Sequence, residues 1–258
     1  MISPVNVSES RRPPDDPPGQ TPRFLKIAHR GYSERYPENT LPAFEKAILA
    51  GADMIELDVH LSRDNHLVVI HDDTIERTSS GRGRVRDLTL AALKGYNYNY
   101  GMTSLGFVEI PTLEEVFALV GNRVMLNIEV KKIRGKQREI EARLVRLLER
   151  EGCLDRIIVS SFDEEILREI SRTAGEVRTG MLYDRVLKNF RDKVLSLGVY
   201  SVHPAIRAID EGQLRWAKTC GRMVYPWVAR DRGTLEKCRA SGFIDGCMVN
   251  DLALFPEP

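Results

Sequence analysis

From Met54 to His60 the chain reads Met54, Ile55, Glu56, Leu57, Asp58, Val59, His60, and this alternation restricts the fold more than any other stretch. Side chains along a strand face opposite ways in turn, so Ile55, Leu57 and Val59 share one side while Met54, Glu56, Asp58 and His60 share the other. A strand with one apolar side and one acid-rich side suits a sheet that packs helices outside and does chemistry inside. A polar Asp64-Asn65 turn follows, and Leu67 to His71 returns as a short extended run that ends at Asp72.

The same rhythm recurs along the chain. Strands are expected at 25–29, 54–60, 124–131, 157–162, 177–183, 199–203, 223–228 and 246–249, with helices at 41–50, 112–120, 137–151, 164–172, 187–197, 211–219 and 234–240. Thr112 and Glu115 stand at the N-cap and N3 positions of a reciprocal capping box. Alternating strands and amphipathic helices specify a parallel sheet with crossover helices, and eight strands in 258 residues fit a (β/α)8 TIM barrel. No GxGxxG or GxxxxGK[ST] follows any strand, so a nucleotide-binding open sheet lacks its signature.

Two segments depart from this rhythm. Residues 1–22 hold six of the thirteen prolines and few apolar side chains, which reads as a disordered Pro-rich tail ahead of a single catalytic domain over 23–258. Between Asp73 and Ile110 five glycines and the Tyr96 to Tyr100 tract interrupt the pattern, as expected of a small rim insertion after the second strand. The tyrosines either form a lid over the site or pack within the insertion, packing being expected, and the Arg82 to Arg86 run is expected on its solvated surface. After the last strand only Asp251 to Pro258 remain, so something shorter than a full helix must cover the barrel seam.

A net charge of +1 gives no bulk case for nucleic acid or an anionic membrane, and no apolar run reaches the length of a membrane span. Cys153, Cys220, Cys238 and Cys247 show no CxxC pairing and read as reduced residues. With no signal-peptide pattern, the expected location is the cytoplasm. The oligomeric state has no signature in the sequence.

Active sites of such barrels gather at the C-terminal ends of the strands. There the first strand offers His29 and Arg30, the second Glu56 and Asp58, its continuation His71, and the third Glu129 and Lys131. Three clustered carboxylates repel one another unless a cation joins them, so Glu56, Asp58 and Glu129 suit Mg²⁺ or Ca²⁺. Arg30 and Lys131 suit a phosphate, and His29 and His71 can divide general acid and base. Metal-assisted phosphoester cleavage uses all of these groups. Trp227 is either barrel packing or an apolar wall for the substrate. Phe162 has the same two readings, with the core the one expected, and His60 either packs behind the site or touches substrate. His66 should be solvated, and His203 should end a strand without doing chemistry.

His29-Arg30-Gly31, Pro37-Glu38-Asn39-Thr40, Glu56-Leu57-Asp58-Val59, His71-Asp72-Asp73-Thr74, Pro111-Thr112-Leu113 and Ile128-Glu129-Val130-Lys131 resemble, in order and spacing, the glycerophosphodiester phosphodiesterases. The resemblance is strong over 25–131 and continues more weakly, through Ser160 to Asp163 and Trp227, to Asp251. It implies the barrel with its insertion, Glu56, Asp58 and Glu129 as metal ligands, His29 and His71 as acid and base, and Arg30 and Lys131 on phosphate. The implied reaction yields sn-glycerol 3-phosphate and an alcohol, by direct water attack or through a cyclic phosphate formed by the substrate's glycerol hydroxyl. Departures fall at Val228-Ala229-Arg230 and at Asn250-Asp251, positions expected on the substrate side. Two alternatives remain: phospholipase D-like cleavage of lysophospholipids or sphingolipids, and a non-catalytic phosphate-binding module.

Overall fold

The structure is a computed structural model that describes residues 23–131 and 139–256. The expected tail at 1–22 and the expected helix start at Gln137 lie outside the described residues. In chain order the elements are β1 (Leu25–His29), α1 (Leu41–Leu49), β2 (Met54–Leu61), β3 (Leu67–Val69), α2 (Leu90–Lys94), α3 (Leu113–Val120), β4 (Met125–Val130) and α4 (Ile140–Glu151). They continue with β5 (Ile157–Ser161), α5 (Glu164–Thr173), β6 (Arg178–Tyr183), α6 (Phe190–Leu197), β7 (Ser201–Pro204), α7 (Glu211–Thr219), β8 (Met223–Val224), α8 (Arg232–Ala240) and β9 (Gly246–Val249).

Parallel pairing runs β8-β7-β6-β5-β4-β2-β1-β9, and β3 folds back antiparallel on β2. The two ends of that path meet through backbone bonds from Asp245 N–H to Val224 O, Met248 N–H to Pro226 O and Ala229 N–H to Met248 O. The result is a (β/α)8 TIM barrel of eight parallel strands. The eighth-strand pair is short where 223–228 was expected, because Pro226 has no N–H to give to a ladder. The chain nevertheless stays extended, bridging Ala205 at Trp227 and Val249 at Ala229.

Two periodicities build the layers. On β2, Ile55, Leu57 and Val59 point outward into one large apolar shell, which α1, α3 and the other helices complete from outside. The inward residues at the barrel's N-terminal end, Ile27, Met54, Met125, Ile158, Tyr225 and Met248, fill the lumen as a separate plug. All eight β2 residues are buried, since a barrel strand is covered on both faces. Thr112 and Glu115 close the capping box that starts α3. Helix α6 begins at Phe190 rather than Leu187, because 184–189 forms a mostly exposed loop at the end of β6.

The insertion makes its own small core from Val68, Ile70, Ile75, Val85, Leu93, Tyr98 and Ile110. Tyr98 therefore packs while Tyr100 is exposed, and Arg82, Arg84 and Arg86 lie on the surface around buried Val85. Past β9 a single 3-10 turn at Leu252–Leu254 covers the seam, with Leu252 and Phe255 buried and Phe255 against Phe24. All four cysteines are free. Among the described residues no helix is long and apolar enough to cross a membrane.

Candidate active site

The polar residues of β1, β2 and β4 converge because their strands are in register. His29 lies beside Glu56 and Asp58 beside Glu129, so inward side chains on neighbouring strands form one layer. Ligand atoms of Glu56, Asp58 and Glu129 all lie within 4.8 Å of one another, and all three residues are buried. Burial, reinforced by Asp58 and Glu129, pushes Glu56 well above the usual glutamate range. Burial also lifts Glu129 to about 7 against the opposing pull of Lys131. Burial alone would raise Asp58 too, but Lys131, Arg30 and His71 outweigh it and hold Asp58 well below the usual carboxylate range. Two carboxylates that resist ionising beside a third that stays charged form an oxygen donor set that a divalent cation would relieve, so these residues fit a metal ion.

Both cations are fixed against the acids. Lys131 Nζ stands 2.7 Å from Asp58 Oδ1 and donates to Glu129 Oε1 at 2.6 Å, and the two acids raise it to about 12 despite burial. Arg30 donates from Nη1 to Glu38 Oε1 at 2.8 Å, with Nε 3.4 Å from Asp58 Oδ2. Its backbone holds φ at 57°, rare for a side-chain-bearing residue, and its N–H donates to both the carbonyl and Oε2 of Glu56. Next to it Gly31 has φ 82°, and a Cβ there would come 2.8 Å from the Ala43 carbonyl carbon. Only glycine fits the turn that brings Arg30 over the acids.

The imidazoles are each held from behind. His29 Nδ1 pairs with Asn250 Oδ1 at 2.8 Å, and His71 Nδ1 with Asp72 Oδ1 at 2.6 Å. Both partners are oxygen acceptors, so each Nδ1 carries the proton and each Nε2 is left for the pocket. His29 Nε2 is 3.9 Å from Glu56 Oε2. Burial, followed by Arg30, lowers His29 to about 4, and burial also lowers His71. Asp72 is tied in turn to Arg77 Nε at 2.6 Å, whose Nη1 and Nη2 both reach Glu38 at 2.8 Å. The chain Asp72, Arg77, Glu38, Arg30 thereby couples the insertion to the first loop.

One pocket of about 170 Å³ is lined by His29, Arg30, Glu56, His71, Glu129, Lys131 and Trp227, together with Asn127, Phe162, Leu182 and Met248. Asp58 sits beneath it, fully buried. Trp227 donates Nε1–H to the His203 carbonyl and meets Phe162 edge-on at 5.7 Å. Phe162 is 46% exposed at the pocket wall, not in the core as expected, because it is the first residue past β5 and turns into the mouth. His60 is buried, its Nε2 on the His71 carbonyl at 3.1 Å, behind the pocket. His66 is exposed and His203 is fully buried in the barrel.

Sequence reasoning assigned no role to Asn39, Glu38, Asp72 or Arg77, and put Asn250 on the substrate side. Asn39 grips Asp58 twice, giving Nδ2–H to Oδ2 at 2.8 Å and taking the Asp58 N–H at 3.3 Å. Glu38, Asn39 and Asp72 stand inside the motifs quoted above, whereas Arg77 has no local signal. Asn250, expected on the substrate side, instead backs His29, because β9 pairs with β1 and ends beside it.

A model of the glycerophosphoryl diester phosphodiesterase family matches residues 29–253. The chain is 37% identical over 232 residues to a glycerophosphodiester phosphodiesterase of Caldanaerobacter subterraneus, covering 89% of this chain and 95% of that one. Among solved structures, a phosphodiesterase of Oleispira antarctica in complex with the product sn-glycerol-3-phosphate superposes with a TM-score of 0.85 at 27% identity, covering 89% of this chain and 94% of that chain. A glycerophosphodiester phosphodiesterase of Thermotoga maritima gives a TM-score of 0.75 at 32% identity over 92% of this chain and 98% of its own. With its barrel, its acid cluster and a match over most of its length, this chain belongs to the glycerophosphoryl diester phosphodiesterase family.

Proposed function

We propose that this chain hydrolyses glycerophosphodiesters to sn-glycerol 3-phosphate and an alcohol, with Glu56, Asp58 and Glu129 holding Mg²⁺ or Ca²⁺ and His29 and His71 as the acid/base pair. One observation carries the reading: two imidazoles, each with Nδ1 engaged from behind, open on the same small pocket as two of the acids and both cations. A bound divalent cation supplies Lewis-acid polarisation of a phosphoryl oxygen. Arg30 and Lys131 set positive charge against the remaining phosphoryl oxygens, and Trp227 and Phe162 wall in the carbon skeleton and exclude water.

Proton movement falls to the two Nε2 atoms. One takes the proton of the attacking oxygen, whether of water or of the substrate's own glycerol hydroxyl, and the other delivers a proton to the alcohol oxygen as its bond to phosphorus breaks. Asn250 and Asp72 accept from Nδ1–H of each ring, so the base presents a bare Nε2, while the acid is the ring that enters the step as an imidazolium, with a second proton on Nε2 that it gives up to the alcohol. The balance is one diester and one water in, one glycerol 3-phosphate and one alcohol out. Four free cysteines suit a reducing cytoplasm as its compartment.

The test is product identity. Purified protein incubated with glycerophosphocholine and Mg²⁺ or Ca²⁺ should release choline and glycerol 3-phosphate in equal amounts. Release of phosphocholine and glycerol would mean that the other ester bond breaks, and binding with no release would mean a phosphate-binding module.

A further inference from the structure

A second hollow of about 500 Å³ opens beside the candidate active site, between the ends of β5 and β6 and the loop that leads into α6. It shares Phe162 and Leu182 with the first pocket, so the two lie side by side along one wall. At about 170 Å³ the first pocket is smaller than the several hundred Å³ usual for a ligand site, which leaves half of a diester to be housed elsewhere. The inner wall of the hollow is apolar, from Met181, Leu182 and half-exposed Val186.

Its outer edge is positive. Of the charged lining residues, Glu164 is neutralised by Lys193 and Arg168, and Asp184 by Arg207. Arg185 and Lys188 lie exposed on the same edge and have no ion-pair partner among the described residues. The residual field of the hollow is that of these two cations. A guanidinium fork and an ammonium three residues apart suit a phosphate or carboxylate and repel a quaternary ammonium.

We infer that this hollow binds the leaving alcohol, and that it selects alcohols bearing an anionic group of their own. The inference rests on the hydrolysis proposed above. Glycerol 3-phosphate occupies the small pocket, the scissile bond sits near Phe162, and the alcohol extends along Leu182 and Val186 until its anion meets Arg185 and Lys188.

The experiment compares kcat/KM for three substrates: bis(glycerophospho)glycerol, whose leaving alcohol carries a phosphodiester, glycerophospho-N-acetylserine, whose alcohol carries a carboxylate, and glycerophosphocholine. The wild type should prefer at least one anionic substrate over the choline ester by about tenfold, chiefly through KM, with the margin shrinking as salt rises to about 0.5 M. Which anionic probe leads identifies the anion. In Arg185→Glu with Lys188→Glu the preference should fall by about tenfold, and in the double glutamine variant it should fall less, in the same direction. A wild-type preference for glycerophosphocholine, or a ratio indifferent to both double variants, would overturn the inference alone. Release of glycerol 3-phosphate from none of the three would overturn the hydrolase reading as well.

Discussion

The two halves of the barrel handle buried polarity in opposite ways. Strands β1, β2 and β4 bury Glu56, Asp58 and Glu129, and Lys131, Arg30 and Asn39 lock onto them at hydrogen-bond or ion-pair distance. Strands β5 to β7 and the residue after β8 bury neutral groups at similar depth: Ser160, Ser201, His203 and Tyr225. Ser201 Oγ and His203 Nε2 pair at 2.8 Å, and burial keeps that imidazole down at about 3, far from charging. Gly180 makes room for the pair, since a Cβ there would sit 2.7 Å from His203 Nε2. Charge is concentrated at the acid cluster, where Asp58 and Glu129 each have Lys131 as an opposite partner. The other half buries no carboxylate cluster of this kind among the described residues, holds Arg178 over the Tyr200 ring at its base, and turns apolar walls and two rim cations toward the second hollow.

This contrast predicts unequal responses to mutation. The largest effect belongs to the imidazoles of the charged half: His29→Ala and His71→Ala should each lower kcat by about 10²- to 10⁴-fold, with circular dichroism unchanged. His203→Ala, equally buried but in the neutral half, should act through stability, read as a lower Tm with kcat of the folded fraction nearly preserved. If His203→Ala instead matched the other two in kcat, the division between the halves would be wrong.

Next comes the buried ion pairing. Lys131→Ala removes the nearer of the two cations beside buried Asp58 and leaves only Arg30 at 3.4 Å, and denaturant unfolding without metal should show a loss of up to about 3–5 kcal/mol. Exchanging Ser201 and His203 together for Ala and Phe replaces a neutral pair by apolar groups of similar size and should cost only about 1 kcal/mol. Equal losses would show that charge is not what sets the halves apart.

A smaller effect is expected behind His29. Asn250→Ala frees Nδ1 and the ring's orientation, and kcat should drop by roughly 10- to 100-fold, as when a supporting hydrogen bond is removed from a site ligand. Asn250→Asp should recover much of the loss, because it restores an oxygen acceptor. No recovery would mean that Asn250 acts through packing.

The last effect is a pH dependence. Glu129 has its folded value raised from 4.5 to about 7, so between those values the folded chain binds a proton that the unfolded chain has released. Stability without metal should therefore fall as pH rises through that window. Since a metal needs the carboxylate ionised, Mg²⁺ or Ca²⁺ should raise Tm more at pH 8 than at pH 5. An equal shift at both values would remove Glu129 from the donor set.

The charged half was also the more legible in the sequence. Glu56 and Asp58 alternate with Ile55, Leu57 and Val59, so a period of two separates chemistry from packing before any contact is known. Residues that act across the fold carried no such mark. Asn250 meets His29 only because β9 pairs with β1, and Arg77 reaches Asp72 and Glu38 only because the insertion folds back over the mouth. Phe162 was misread as core because an aromatic at the end of a strand looks the same in sequence whether it turns inward or into the pocket. The hollow beside it depends on the loop 184–189, where the expected helix start at Leu187 hid the exposed cations.

The central claim is that the charged half works as a metal-dependent phosphodiesterase site. The most direct measurement is glycerol 3-phosphate release from a glycerophosphodiester by protein stripped of metal with a chelator, then supplied with Mg²⁺ or Ca²⁺, beside Glu56→Gln treated identically. The account predicts no release after stripping, recovery in the wild type on adding metal, and little recovery in Glu56→Gln. Undiminished release from the stripped wild-type protein would contradict it.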